Sequence, residues 1–248
     1  MIKPKFLYNN VLRDDTIEEL TDWRDYTIVD KGNQNTDYTV SADRTIDGWA
    51  FYAAATVAEQ TGATLTLYYE SSAGVFTQLD QVVGVWGKIR MREFSSVTVL
   101  SGRRIRITTS GISGTLPFRQ FAVGQVLEAE QGQYMDAINP DFTYGYRATN
   151  TISQNGSIIA RDIKRVEKTG KLNIQYLTEA WFRANWEPLA KHAVKYPFFY
   201  QPNPRDYPNE VAFASASKMS VPKRSGLESR LDVSWDLKVL TSEENLVT

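Results

Sequence analysis

The chain has 248 residues, 42% hydrophobic and 23% charged, with a formal net charge of −1, one histidine and no cysteine. That length and balance suit a folded protein of one large or two ordinary domains with a genuine core. They exclude disulfides, thiolate metal sites and cysteine nucleophiles, and they remove any bulk electrostatic pull toward nucleic acid or anionic membrane.

The amino terminus, Met1-Ile2-Lys3-Pro4-Lys5-Phe6-Leu7-Tyr8, meets Asn9-Asn10 and charge before a signal-peptide core can form. The longest apolar run, Trp49 to Ala58, is interrupted by Thr56 and falls short of the about 20 residues that span a bilayer. The expectation is a soluble chain made in a reducing cytoplasm, with no membrane partner.

Short strands at sandwich-like spacing follow. Tyr26 to Val29 is the first, closed by the turn signal Asp30-Lys31-Gly32-Asn33. Ala50 to Ala58 reads as a buried, alanine-rich strand, with a short helix as the competing reading. Ala63 to Glu70 alternates, with Leu65 and Leu67 inward and Thr64 and Thr66 outward. Ser71 to Gly74 turns the chain into Val75 to Val83. Arg103 to Thr109 alternates again, Ile105 and Ile107 inward and Arg104 and Arg106 outward, and Phe118 to Leu127 closes the module. Polarity and Gln/Gly content rise near Glu128 to Gly132, which places a domain boundary there: residues 1–130 and 131–248.

The second half opens with strands Tyr144 to Ser153 and Ser157 to Val166 around Gln154-Asn155-Gly156, a good hairpin signal because Asn-Gly accepts positive φ. Lys171 to Tyr176 is a third strand. Thr178 stands at an N-cap position, and the helix it starts, within about 178–196, puts Phe182, Trp186, Leu189 and Ala193 on one stripe. Pro188 inside that pattern predicts a kink or two short helices. Phe198-Phe199-Tyr200-Gln201-Pro202-Asn203-Pro204 reads as a loop, too proline-rich for a strand and too aromatic to leave in water. Phe198, Phe199, Tyr200, Arg205 and Tyr207 are therefore the candidates for subunit contact, the alternative being that the loop folds back on its own helix. Leu231 to Leu240 is a final strand with one dry face.

Candidate chemistry is sparse. His192 is alone, so histidine triads and paired-histidine metal sites are nearly excluded, and a structural role near a helix end is expected. Asp14, Asp15, Glu18, Glu19, Asp22 and Asp25 sit on one short segment, where a solvated or partner-facing surface is a plainer reading than a glycosidase pair. Asp43-Arg44-Thr45-Ile46-Asp47-Gly48 lacks the oxygen spacing of an EF-hand and reads as a turn, with a loop calcium site left open. The basic strands Lys88 to Arg92 and Arg103 to Arg106 lack interleaved aromatics for stacking bases, so no specific nucleic-acid role is assigned. Trp23, Trp49, Trp86, Tyr68 and Tyr69 are either core or a sugar-stacking platform. No phosphate-binding or nucleophile-elbow motif is present, so no catalytic residue, cofactor or metal ligand is assigned and the chain is not read as an enzyme.

Two loose resemblances cover most of the chain. Asn9-Asn10, Asp22-Trp23, Ile28-Val29-Asp30-Lys31-Gly32, the stretch Leu65-Thr66-Leu67-Tyr68-Tyr69-Glu70-Ser71-Ser72-Ala73-Gly74, the strand Arg103-Arg104-Ile105-Arg106-Ile107 and the return Phe121-Ala122-Val123-Gly124 resemble the discoidin, galactose-binding-like β-sandwich. The Trp-rich helix, the Pro197-Phe198-Phe199 loop and the Leu231-Asp232-Val233-Ser234-Trp235 strand are similar to carboxyl-terminal domains of minor tail proteins from long, non-contractile-tailed bacteriophages. The resemblance implies a mainly β chain: a galactose-binding-like sandwich, then a tail-tube-like β domain carrying one kinked helix. It implies a virion protein of the distal-tail kind at the tail tip, a ring (a hexamer by analogy) that joins the tail tube to hub and fibre proteins. A carbohydrate-binding module for host adsorption is the alternative; it would show exposed aromatics at one end of the sandwich.

Overall fold

The computed structural model describes residues 3–14, 29–53, 62–84, 89–114, 116–132, 142–152, 155, 158–225 and 229–240. The chain is mainly β. Its strands are β1 (Lys5–Tyr8), β2 (Val29–Lys31), β3 (Gln34–Thr39), β4 (Arg44–Ala53), β5 (Thr64–Ser72), β6 (Val75–Val83), β7 (Ile89–Val99) and β8 (Arg104–Ser110). Then come β9 (Leu116–Glu128), β10 (Phe142–Ile152), β11 (Ile158–Thr178), β12 (Phe198–Gln201), β13 (Ala212–Met219), β14 (Lys223–Ser225) and β15 (Arg230–Leu240). A 3-10 turn, Val11–Asp14, follows β1, and one helical segment, α1, made of Glu179–Trp181, Phe182–Trp186 and Glu187–Ala193, lies between β11 and β12. The expected strand Tyr26 to Val29 is seen only from Val29, and Ala50 to Ala58 only to Ala53; the remainder of each lies outside the described residues.

One large sheet runs β10-β11-β15-β13-β12-β1-β9-β4-β7, and a four-stranded sheet runs β3-β8-β5-β6. The small sheet covers the β9-β4 end of the large one. Between them lie Trp49, Phe51, Phe121 and Val123 from the large sheet and Leu65, Leu67, Ile105 and Ile107 from the small one. This is the sandwich that the alternating strands predict. Thr66 departs from its expected wet position: it is buried, and Gln81 Nε2 donates to its Oγ1 at 3.2 Å.

The other end of the large sheet is covered by α1. Thr178 caps it as predicted, its Oγ1 accepting from the Trp181 N–H at 3.3 Å. Trp186, Leu189 and Ala193 are buried on the sheet, and Phe182 packs at their margin. Pro188 does not split the helix. A π-helical stretch, Phe182–Trp186, precedes the α-helical turn Glu187–Ala193, so Pro188 falls at the first or second residue of that turn. There a missing N–H costs little.

Two expectations about strands are corrected. Ser157 to Val166, described from Ile158, and Lys171 to Tyr176 fall in one strand, β11, of 21 residues. Phe198, Phe199 and Tyr200 are not loop: they form β12, hydrogen-bonded between β1 and β13, and all three are buried. Phe198 and Tyr200 face the helix, where Phe6 lies 5.3 Å from Tyr200 and 5.5 Å from Trp186. Phe199 points to the opposite face, 5.0 Å from Phe213. The prolines take effect only after Gln201. The large sheet also passes without a break across the boundary expected near residue 130, because β1 sits between β9 and β12.

The arginines of β8 are spent internally. Arg104 Nε meets Glu70 Oε2 at 3.1 Å, and Arg106 Nε meets Asp37 Oδ1 at 2.6 Å. The Phe76 ring lies against both guanidiniums, 5.0 and 3.7 Å from ring centroid to Cζ. Hydrogen bonds from Arg104 and then from the Gly74 N–H hold the Glu70 carboxyl at about 2, against its burial. A carboxyl depressed in the folded state stabilises above its unfolded value and loses that contribution as pH falls through the folded one. Glu70→Gln is therefore expected to cost about 1–3 kcal/mol near neutrality, read by urea denaturation. The difference from the unsubstituted chain should shrink as pH falls from about 4.5 toward about 2. A difference constant over that range would show that Glu70 is not the anchor.

Candidate functional site

Alternation along β9 puts residues 121, 123, 125 and 127 on one face of the large sheet. Phe121 and Val123 enter the sandwich core, and Leu127 enters the helix-covered core. Gln125 lies in the gap between the two covers. That gap is an open cleft of about 630 Å³.

Its walls come from segments far apart in the chain. The residues after β1 and the 3-10 turn give Asn9, Asn10 and Arg13; the start of β4 and the residue before it give Asp43, Arg44 and Thr45; the end of α1 and the residues after it give His192 and Tyr196. Asn9 has φ 56°, a left-handed conformation that asparagine accepts more readily than most residues. Its Nδ2 donates to Gln125 Oε1 at 3.2 Å. Asn10 fastens the turn to β9: its Nδ2 donates to Phe121 O at 3.0 Å, and its Oδ1 accepts from Val123 N at 3.0 Å. The chain comes so close here that a Cβ on Gly124 would sit 2.2 Å from Tyr8 O. Only glycine fits.

His192 takes the structural place expected of it. Its Nε2 lies 3.2 Å from Pro197 O, and its ring packs 5.8 Å from Tyr8 and 5.4 Å from Tyr196. Burial, helped by nearby Arg13 and opposed by the Pro197 carbonyl, keeps its pKa below the ordinary value. Arg13 lies over the Tyr196 ring, 4.2 Å from Cζ to centroid. Its Nε is buried without a hydrogen-bond partner.

Asp43 is the sole acid lining the cleft among the described residues, and its Oδ1 accepts the Ser101 N–H at 2.8 Å. Hydrolysis by two opposed carboxylates would need a second. The Asp43 to Gly48 segment is not the turn read from the sequence: Arg44 to Gly48 already belong to β4, and only Asp43 precedes it. No cluster of three or more metal-ligating side chains occurs among the described residues.

Other candidate positions fall elsewhere. Trp49 is fully buried, its indole N–H donating to Asp80 Oδ2 at 2.8 Å, so it is no sugar platform. Tyr68 and Tyr69 are half-buried on β5. Trp23, Trp86 and all of the acidic segment after Asp14 lie outside the described residues. Of the five contact candidates, Tyr207 and Arg205 are exposed, the latter paired with Asp206 at 2.9 Å. Their loop is fastened to itself, Asn203 Oδ1 accepting from Asp206 N at 2.9 Å and Gln201 Nε2 donating to Pro208 O at 2.8 Å. The cleft itself escaped the sequence reading, because no local spacing joins residues 9–13, 43–45, 125 and 192–196.

No protein-family model matches the chain. No curated protein matches it. Among solved structures, the carbohydrate-binding module CpGH89CBM32-5 from Clostridium perfringens, in complex with GalNAc-β-1,3-galactose, is similar with a TM-score of 0.33 and 10% identity. The match covers 50% of this chain and 94% of that one. At that TM-score nothing about the ligand carries over, and none of these comparisons bears on the tail-protein resemblance.

Gly124→Ala is expected to push β1 off β9, with a loss of about 1–3 kcal/mol in thermal or urea unfolding. Unchanged stability would contradict the close approach that shapes this wall of the cleft.

Proposed function

We propose that the chain is a self-associating structural protein. The observation that carries this reading is the β10–β11 hairpin. β15 pairs with β11 only from Lys168 onward, so residues 158–167 of β11 have β10 as their sole strand partner among the described residues. At about 3.3 Å per residue this arm reaches roughly 30 Å beyond the sheet. A two-stranded hairpin is marginal alone in water, and its open edges invite pairing. Another copy of the chain covers such an arm if the copies close into a ring, each subunit offering one surface to each neighbour. On the sequence resemblance, that ring belongs to the tip of a long non-contractile bacteriophage tail, where it links the tube to hub and fibre proteins. Exposed Tyr207 and the neighbouring Arg205 are the remaining contact candidates on the body.

The test is the solution mass of the full chain, beside a variant in which residues 148–164 are replaced by Asn-Gly, leaving the β15-paired base of β11 intact. The unaltered chain should run as a closed oligomer and the trimmed one as a folded monomer. A full chain that stays monomeric at high concentration would end this reading.

A second reading, carbohydrate binding without catalysis, is favoured by the cleft. Its volume falls in the range of ligand sites, about 300–1,000 Å³. Amide side chains such as Asn9 and Gln125 offer the mixed donors and acceptors that sugar hydroxyls need. The sandwich-end aromatics first considered for this role are replaced by Tyr196, which is 38% exposed. Calorimetric titration of the full chain with a panel of saccharides tests it. Gln125→Ala should weaken any binding about tenfold, and a binder indifferent to that change would place the site elsewhere.

A further inference from the structure

Resting on the carbohydrate reading of the cleft, we infer that its ligand is an acidic saccharide whose carboxylate is received by Arg13. The guanidinium of Arg13 makes no hydrogen bond or ion pair with any described residue, and its Nε is fully enclosed. A cation drawn partly out of water without a counter-charge is costly, so folded chains seldom leave one in that state. The arginines of β8 show the contrast: Arg104 and Arg106 are neutralised by Glu70 and Asp37.

Arg13 is also held in place. Its stacking over Tyr196 fixes the plane of the guanidinium and leaves the edge as the remaining recognition surface. An arginine edge matches the two oxygens of a carboxylate with paired, charge-assisted hydrogen bonds. Among the described residues that line the cleft, Asp43 is the one acid, and its Oδ1 is engaged by the Ser101 N–H. Burial holds the His192 pKa below its ordinary value, which disfavours its charged form. A bare anion would leave most of the cleft empty, whereas Asn9, Thr45 and Gln125 also line it and carry the donors and acceptors that the hydroxyls of an attached sugar ring need.

The experiment uses the full chain, its Arg13→Gln variant, and four probes: sialyllactose, a glucuronate-containing disaccharide, lactose and inorganic phosphate. At least one of the two acidic sugars should bind, with lactose about tenfold weaker or more, and Arg13→Gln should reduce the acidic sugar's affinity by about 10- to 100-fold. Equal binding of lactose would overturn the inference and leave the carbohydrate reading standing. Phosphate binding as tightly as the sugars would overturn it in favour of a plain anion site. Binding of none of the saccharides would remove the carbohydrate reading and the inference together.

Discussion

Strand β1 is paired on both edges, and the rest of the architecture follows from that. Lys5 to Tyr8 lie against β9 in register with Glu128 to Gln125, and Lys5 to Leu7 lie against β12 in register with Gln201 to Phe199. Four residues thereby make one sheet from two halves that each have a cover and a core of their own. The face they share is roofed by a small sheet at one end and by α1 at the other. Gln125 and Asn9 lie where the roofs fail to meet. The cleft follows from this joint, with no loop inserted to build it.

The alternating segments were legible in the sequence because each strand there has one dry face. Leu65 and Leu67, Ile105 and Ile107, and the series Leu231, Val233, Trp235, Leu237 and Val239 are all buried as their spacing requires. The helix stripe was legible for the same reason, with a period of 3.6 instead of 2. β12 was not. Its Phe-Phe-Tyr run is dry on both faces, which erases the alternation, and the prolines just beyond it mimic a loop. β1 was hidden in the same way, since Phe6, Leu7 and Tyr8 are all buried. Central strands give weak periodic signals because both of their faces are covered.

The site was less visible still. Arg13 carries no motif, and its meeting with Tyr196 depends on β1, the 3-10 turn and the end of α1 reaching one place. The basic strand Arg103 to Arg106 looked more suggestive in the sequence and proves to be an internal staple, with Arg104 and Arg106 tied to Glu70 and Asp37 under Phe76. Charge density along a sequence does not reveal whether the counter-charges lie across the sheet.

Strand β11 has a mechanical consequence. Its first ten residues form the arm, its later ones bind β15, and its last residue, Thr178, is the cap of α1, whose far end carries His192 beside the cleft. One bulge, between Ile174 and Leu177, is the only break in its register with β15. Tension applied at the hairpin tip would therefore travel through hydrogen-bonded backbone to the helix, with no flexible linker to absorb it, and a load borne by the tip would be felt at the seam where Arg13 rests on Tyr196.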